Sequence, residues 1–153
     1  MSNNRLIKDN FYSNVDSSFC ELTQIQSKCI AATINDKPIY YSAYNFLSGY
    51  CLVFAYVLHL RFEYDVVIIS NDSGTEEHCC CYYKYMNYDL YIDVRGGTAN
   101  LDKLLQPFPN IDSDSTKIDK ITDFEKYNDE WDPELMSFAN DIIEQYYDYY
   151  YFK

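Results

Sequence analysis

The sequence predicts an α+β fold in a single domain spanning residues 1–153, with helices packed on a small antiparallel sheet. Three observations carry this. Cys51 to about Phe62 is an unbroken apolar segment, long for a strand and of ordinary length for a buried helix. Val66 to Arg95 holds a β-branched run and two alternating segments around a short turn, as strands require. From Asp132 onward, apolar residues recur at three- and four-residue steps. A hydrophobic content of 48%, with 18% aromatic residues, supplies enough apolar surface to exclude a disordered chain.

Taken in order, Phe11, Val15, Phe19, Leu22, Ile25 and Cys29 share helical spacing and predict an early amphipathic helix. Asn35-Asp36-Lys37-Pro38 has the chemistry of a turn that ends it. Ile39 to Tyr50 reads as a polar-aromatic connection. The Cys51–Phe62 segment follows as a helix, then Val66 to Ser70 as a core strand closed by Asn71-Asp72-Ser73-Gly74. His78 to Tyr85 and Leu90 to Arg95 form an expected hairpin, although the turn near Met86-Asn87-Tyr88-Asp89 lacks the strong Asn-Gly signal. Gly96-Gly97 breaks the second strand, Thr98 opens a short helix through Leu105, and Pro107 to Ser115 is loop. In the last helix Asp132 is the N-cap and Pro133 suits the first turn. Leu135, Phe138, Ala139, Ile142, Ile143, Tyr146 and Tyr150 make its apolar stripe.

Charge narrows the partners. The chain has 24 acidic against 12 basic residues, a formal charge of −12, and 13 of the acids follow Gly97. Phosphates attract Lys and Arg, so direct nucleic-acid binding is not expected, nor is adsorption to an anionic membrane. A basic protein or an amine-bearing substrate suits this surface better. The first eighteen residues contain no apolar run of the signal-peptide kind, and the most hydrophobic stretch is too short to span a bilayer. The expected location is therefore cytoplasmic. Six cysteines, three of them consecutive at 79–81, read as reduced thiols rather than a disulfide framework. His78 with Cys79–Cys81 lacks the second Cys-x-x-Cys knuckle of a zinc site, so no metal and no organic cofactor is expected.

The candidate chemistry centres on Cys51, His78 and Asp93. Cys51 follows Ser48-Gly49-Tyr50 at the start of the apolar helix, where the partial positive charge of a helix N-terminus favours a thiolate. A thiolate nucleophile needs an imidazole beside it and a polar group to orient that imidazole. The sequence has two histidines. His59, eight residues along the same helix, falls roughly 80° round and about two turns away, a poor position for meeting Cys51. His78 opens a strand after a polar run and is the better base. If the hairpin pairs Tyr85 with Tyr88, position 78 lies opposite 95, and His78 and Asp93 become diagonal neighbours on one face. A slip of one residue would separate them.

The order Gly49-Tyr50-Cys51-Leu52-Val53-Phe54-Ala55, an apolar strand, His78 heading the next strand and Tyr91-Ile92-Asp93-Val94-Arg95-Gly96 resembles papain-like thiol hydrolases of the NlpC/P60 and transglutaminase-like kind, including small bacterial and phage members. The resemblance covers about Gly49 to Gly97. It implies a papain-like core, in which the helix carrying the cysteine packs on a small antiparallel sheet, with N- and C-terminal helices beside it. It also implies hydrolysis or transfer of an amide or other acyl bond by a Cys-His-Asp triad. By the same resemblance Asn45, six residues before Cys51, is placed to help bind the oxyanion. The competing reading of Cys51 is a buried core thiol. The competing reading of the whole chain is a catalytically inactive, acidic protein with 18 tyrosines that binds a partner. A phage-type inhibitor that mimics nucleic acid towards a basic protein is one form of it.

Overall fold

The computed structural model describes residues 28–34 and 37–153, with side chains from Tyr41 onward. Elements are numbered along these residues. The predicted helical positions Phe11, Val15, Phe19, Leu22 and Ile25 lie outside them. Cys29, expected to end that helix, is instead in strand β1 (Lys28–Ile34), which pairs antiparallel with β2 (Lys37–Tyr41). Both segments contain β-branched and aromatic residues, and the register sets Ile30 opposite Ile39 and Cys29 opposite Tyr40. The expected connection from Ile39 therefore begins as strand. It continues as a 3₁₀ turn over Ala43–Phe46, where the Asn45 side chain accepts from the Ser42 backbone N–H at 2.8 Å.

Gly49 then takes φ 103°, a backbone conformation that a side chain would strain, and turns the chain into helix α1 (Cys51–Phe62). Leu52, Val53, Phe54, Ala55, Val57, Leu58 and Phe62 of this helix are buried. A helix apolar on most sides belongs inside a core. Glu63, in the left-handed region at φ 63°, ends it by donating to the His59 carbonyl at 2.8 Å.

Strands β3 (Asp65–Ser70), β4 (Glu77–Tyr85), β5 (Tyr88–Asp93), β6 (Gly96–Thr98) and β7 (Lys117–Ile121) form one antiparallel sheet in the order β6-β5-β4-β3-β7. Register explains its two faces. Ile121, Val66, Cys81 and Ile92 lie in one cross-strand row and pack with α1 and with α3 (Pro133–Gln145). One residue along, Val67 and Cys80 face the other way, towards Leu104 and Leu105 of α2 (Leu101–Leu105) and Ile111. Thr98 belongs to β6 rather than to the helix, which starts later because Asn100 caps it, its side chain accepting from Lys103 N–H at 3.1 Å. Strand β7 was not foreseen. Its first four residues are exposed and charged or isolated apolar (Lys-Ile-Asp-Lys), so it carries no core signal of its own and is held by pairing with β3.

Helix α3 starts as its sequence predicts, with Asp132 accepting from Glu134 and Leu135 N–H at 2.8 and 3.2 Å, but it ends at Gln145, so Tyr146 and Tyr150 of the expected stripe lie beyond it. Leu135, Phe138, Ala139, Ile142 and Ile143 are buried, with Phe138 tilted against Phe46 of the 3₁₀ turn. The tail beyond the helix returns to the core. Tyr150 donates from its hydroxyl to the Val94 carbonyl at 2.6 Å, and Phe152 packs where a Cβ on Gly97 would have to go. No helix of the described residues is long and apolar enough to cross a membrane.

Candidate active site

The hairpin register decides which side chains can meet. Met86 takes φ 53° in the two-residue turn, and Tyr85 pairs with Tyr88. This is the register in which His78 and Asp93 share a face. They do meet: His78 Nε2 donates to Asp93 Oδ2 at 3.0 Å, both groups being buried. The ring of His78 stacks on Phe108, at 4.4 Å between centroids, in the loop after α2. With Nε2 committed to the carboxylate, Nδ1 is the nitrogen left for proton transfer. It is buried and makes no hydrogen bond among the described residues.

Cys51 is the first residue of α1 and is partly exposed. Its Sγ accepts from the Cys79 backbone N–H at 3.4 Å. That donor lies beyond the last β4–β5 pair, Cys81 with Ile92, so the thiol occupies the flank of β4 that β5 leaves open. A hydrogen bond from the Cys79 side chain lowers the Cys51 pKa well below the ordinary thiol value, against burial, and the His78 imidazole lowers it further. Cys79, the partner of that bond, is pushed up by Cys51. For His78, burial favours the neutral ring, but the bond to Asp93 and the Cys51 charge outweigh it and raise the pKa to about 9. Near neutral pH the arrangement thus favours thiolate and imidazolium together.

Asp93 is anchored from its other side. Arg95 Nη2 donates to Oδ2 at 2.6 Å, Arg95 Nε to Oδ1 at 3.2 Å, and the Arg95 backbone N–H to Oδ1 at 2.9 Å. Burial alone would raise the Asp93 pKa, yet the Arg95 charge and the His78 bond hold it well below the usual carboxylate range. Arg95 Nη2 also donates to the Leu104 carbonyl at 2.8 Å, tying the site to α2. Sequence reasoning passed over Arg95 and Phe108. The sequence places Arg95 at the end of the second strand, whereas β5 stops at Asp93 and Arg95 lies in the turn to β6, folded back on the carboxylate two residues before it. Nothing in the sequence marks Phe108, which comes from a loop.

Among the described residues no hydrogen bond links the other candidates to this cluster. The Asn45 side-chain oxygen is held by Ser42 and its carbonyl accepts from Tyr50 N–H at 3.0 Å; its amide nitrogen makes no hydrogen bond among the described residues. The backbone N–H of Cys51 is one of the first-turn donors without an intrahelical acceptor, and so is available to an oxyanion. His59 Nδ1 pairs with the Tyr64 carbonyl at 2.7 Å at the far end of α1. Among the described residues no three His, Cys, Asp or Glu side chains are grouped to hold a metal ion. Comparison of the chain with family models, with curated proteins and with solved structures finds no match.

Proposed function

We propose that the protein is a papain-like cysteine hydrolase or acyltransferase, with Cys51 as nucleophile, His78 as general base and then acid, and Asp93 as the orienting carboxylate. The observation that carries this reading is the His78–Asp93 bond through Nε2, which leaves Nδ1 unbonded beside a thiol of depressed pKa at a helix N-terminus. The Cys51 thiolate attacks an acyl carbon, and the Cys51 N–H stabilises the oxyanion. Collapse of that intermediate breaks the bond to the leaving amine, which takes the proton from His78 Nδ1. Water, or a second amine, then gives up a proton to His78 and attacks the thioester, releasing the acyl group and restoring the thiol. Each step uses side chains already in the site, without a metal or organic cofactor. The formal charge of −12 supports a basic or amine-bearing substrate.

A simple test uses an activated acyl ester, with the acyl adduct located by peptide mass spectrometry. Cys51 is expected to acylate first and to turn over, and Cys51→Ala to lose both while keeping its fold. Acylation spread evenly over Cys51 and Cys79, at the rate of unfolded protein, would sink the proposal.

The acids Asp119, Asp123, Glu125, Asp129, Glu130 and Asp132 are all exposed on one stretch of chain, which favours a second reading: an inactive protein that binds a basic partner, such as a phage-type inhibitor of a nucleic-acid-binding protein. A salt-sensitive complex with a basic protein, equally tight for Cys51→Ala and accompanied by no acylation, is the result this reading expects.

A further inference from the structure

The proposed chemistry employs three ionisable groups, but four are joined at this end of β4. Arg95 is fully buried, and its guanidinium and backbone together make four contacts to the Asp93 carboxylate, between 2.6 and 3.3 Å. A buried ion pair of this kind is weak evidence for stability, because desolvating two charges offsets most of their attraction. Charge balance provides a better reason for it. A thiolate, an imidazolium and a carboxylate sum to one net negative charge, and an uncompensated charge in a buried site is costly. The guanidinium is a fixed positive charge and brings the sum to zero. Along the network the signs then alternate: Cys51 negative, His78 positive, Asp93 negative, Arg95 positive.

We propose that Arg95 is a positioning residue of this site, which balances Asp93 so that Cys51 and Asp93 can both be ionised around the single imidazolium of His78. The inference rests on the reading of Cys51 as the nucleophile. Without the guanidinium, His78 must serve two anions, and the weaker acid takes up a proton. Between a thiol and a carboxyl, that is the thiol. Removing Arg95 therefore silences Cys51, which it does not touch. The other groups facing the network do not substitute for it. From β4 come Cys79, which shares a hydrogen bond with Cys51 and feels Glu77, and the Cys80 and Cys81 thiols, which burial pushes up so that they stay neutral. Helix α2 contributes the Leu104 carbonyl, and the loop after it the uncharged Phe108 ring.

The test measures iodoacetamide alkylation of Cys51 at about pH 6 by peptide mass spectrometry, well below the ordinary thiol pKa of about 8.5. Circular dichroism melts of the same samples report the fold. Arg95→Met is expected to slow labelling by about tenfold or more, the effect of a one-unit rise in the thiol pKa. Arg95→Lys, which keeps the charge and loses the fork, should recover most of that loss. The double variant Asp93→Asn/Arg95→Met removes one charge of each sign and should label faster than Arg95→Met alone. A purely structural Arg95 would lower the melting temperature and leave the pH profile where it was. If Arg95→Met does not fold, the double variant is read against Asp93→Asn alone: labelling within about threefold of Asp93→Asn supports charge balance, and a further loss beyond tenfold overturns it. Arg95→Lys as slow as Arg95→Met also overturns it. A wild-type profile that rises only near pH 8.5 sinks the enzyme reading and this inference together; a low wild-type profile unchanged in Arg95→Met overturns the role of Arg95 alone.

Discussion

The two ends of α1 each have a histidine nearby, and the two are used in opposite ways. At the C-terminal end His59 donates from Nδ1 to the carbonyl of Tyr64, two residues past the helix, and its ring lies among Tyr56 and Phe124. At the N-terminal end His78 is tied by Nε2 to a carboxylate, and its Nδ1 is left buried and unbonded. One ring satisfies a backbone acceptor. The other has a proton site that nothing structural uses. Each ring has one nitrogen bonded, but only His78 is held by a carboxylate, which raises its pKa, with a thiol beside it.

The largest expected difference between the two ends is in thiol reactivity. His78→Ala should slow alkylation of Cys51 at about pH 6 by about a hundredfold, whereas His59→Ala should leave it within about twofold. Equal effects on peptide-mapped labelling would break the comparison. The pH profile sharpens it further. Attack requires the thiolate and expulsion of an amine requires the imidazolium, so amide turnover should fall as pH rises through about 9. Alkylation needs no acid and should not fall there; a parallel fall in both would remove His78 from the acid role.

Stability should show the same contrast on a smaller scale. Asp93→Ala leaves the buried Arg95 charge without its carboxylate and should cost about 3–5 kcal/mol in urea unfolding. His59→Ala removes one partly buried hydrogen bond to the Tyr64 carbonyl and should cost about 1–2 kcal/mol. Between them lies Gly97→Ala, where the new methyl must displace the Phe152 ring that packs against β6 beside the Asp93–Arg95 turn. Overpacking of this kind costs about 1–3 kcal/mol, and part of it should appear as slower labelling of Cys51 if the tail steadies that turn. The smallest effect is a gain. Glu63 holds a left-handed conformation at the end of α1, and Glu63→Gly should raise stability by about 0.5–1 kcal/mol with no change at Cys51.

The same asymmetry explains how much the sequence disclosed. Helix α1, the β4–β5 hairpin and α3 announce themselves because each has a buried face, a cap or a turn written within a few consecutive residues. The hairpin could even be carried to a geometric statement, His78 beside Asp93, once its register was assumed, and Tyr85 opposite Tyr88 is the register found. The strand β7 stayed hidden because its partner, β3, lies some fifty residues away and its first four residues are exposed. Strand β1 was hidden by coincidence: Cys29 extends a helical spacing begun far upstream, and the β-branched Ile30, Thr33 and Ile34 outweigh it locally. In the site, Cys51, His78 and Asp93 were legible from residue type and order. Phe108, the Leu104 carbonyl and the backbone N–H of Cys79 were not, because loops and main-chain groups leave no mark in the sequence when they reach a site through tertiary packing.

Whether Cys51 is an activated thiol is decided by the full pH profile of its iodoacetamide alkylation in wild type and in His78→Ala. The account expects rapid labelling well below pH 7 in wild type, and a profile that moves up towards the ordinary thiol value of about 8.5 once the imidazole is gone. A wild-type profile that already rises near 8.5, unchanged in His78→Ala, would show an ordinary thiol and contradict the account.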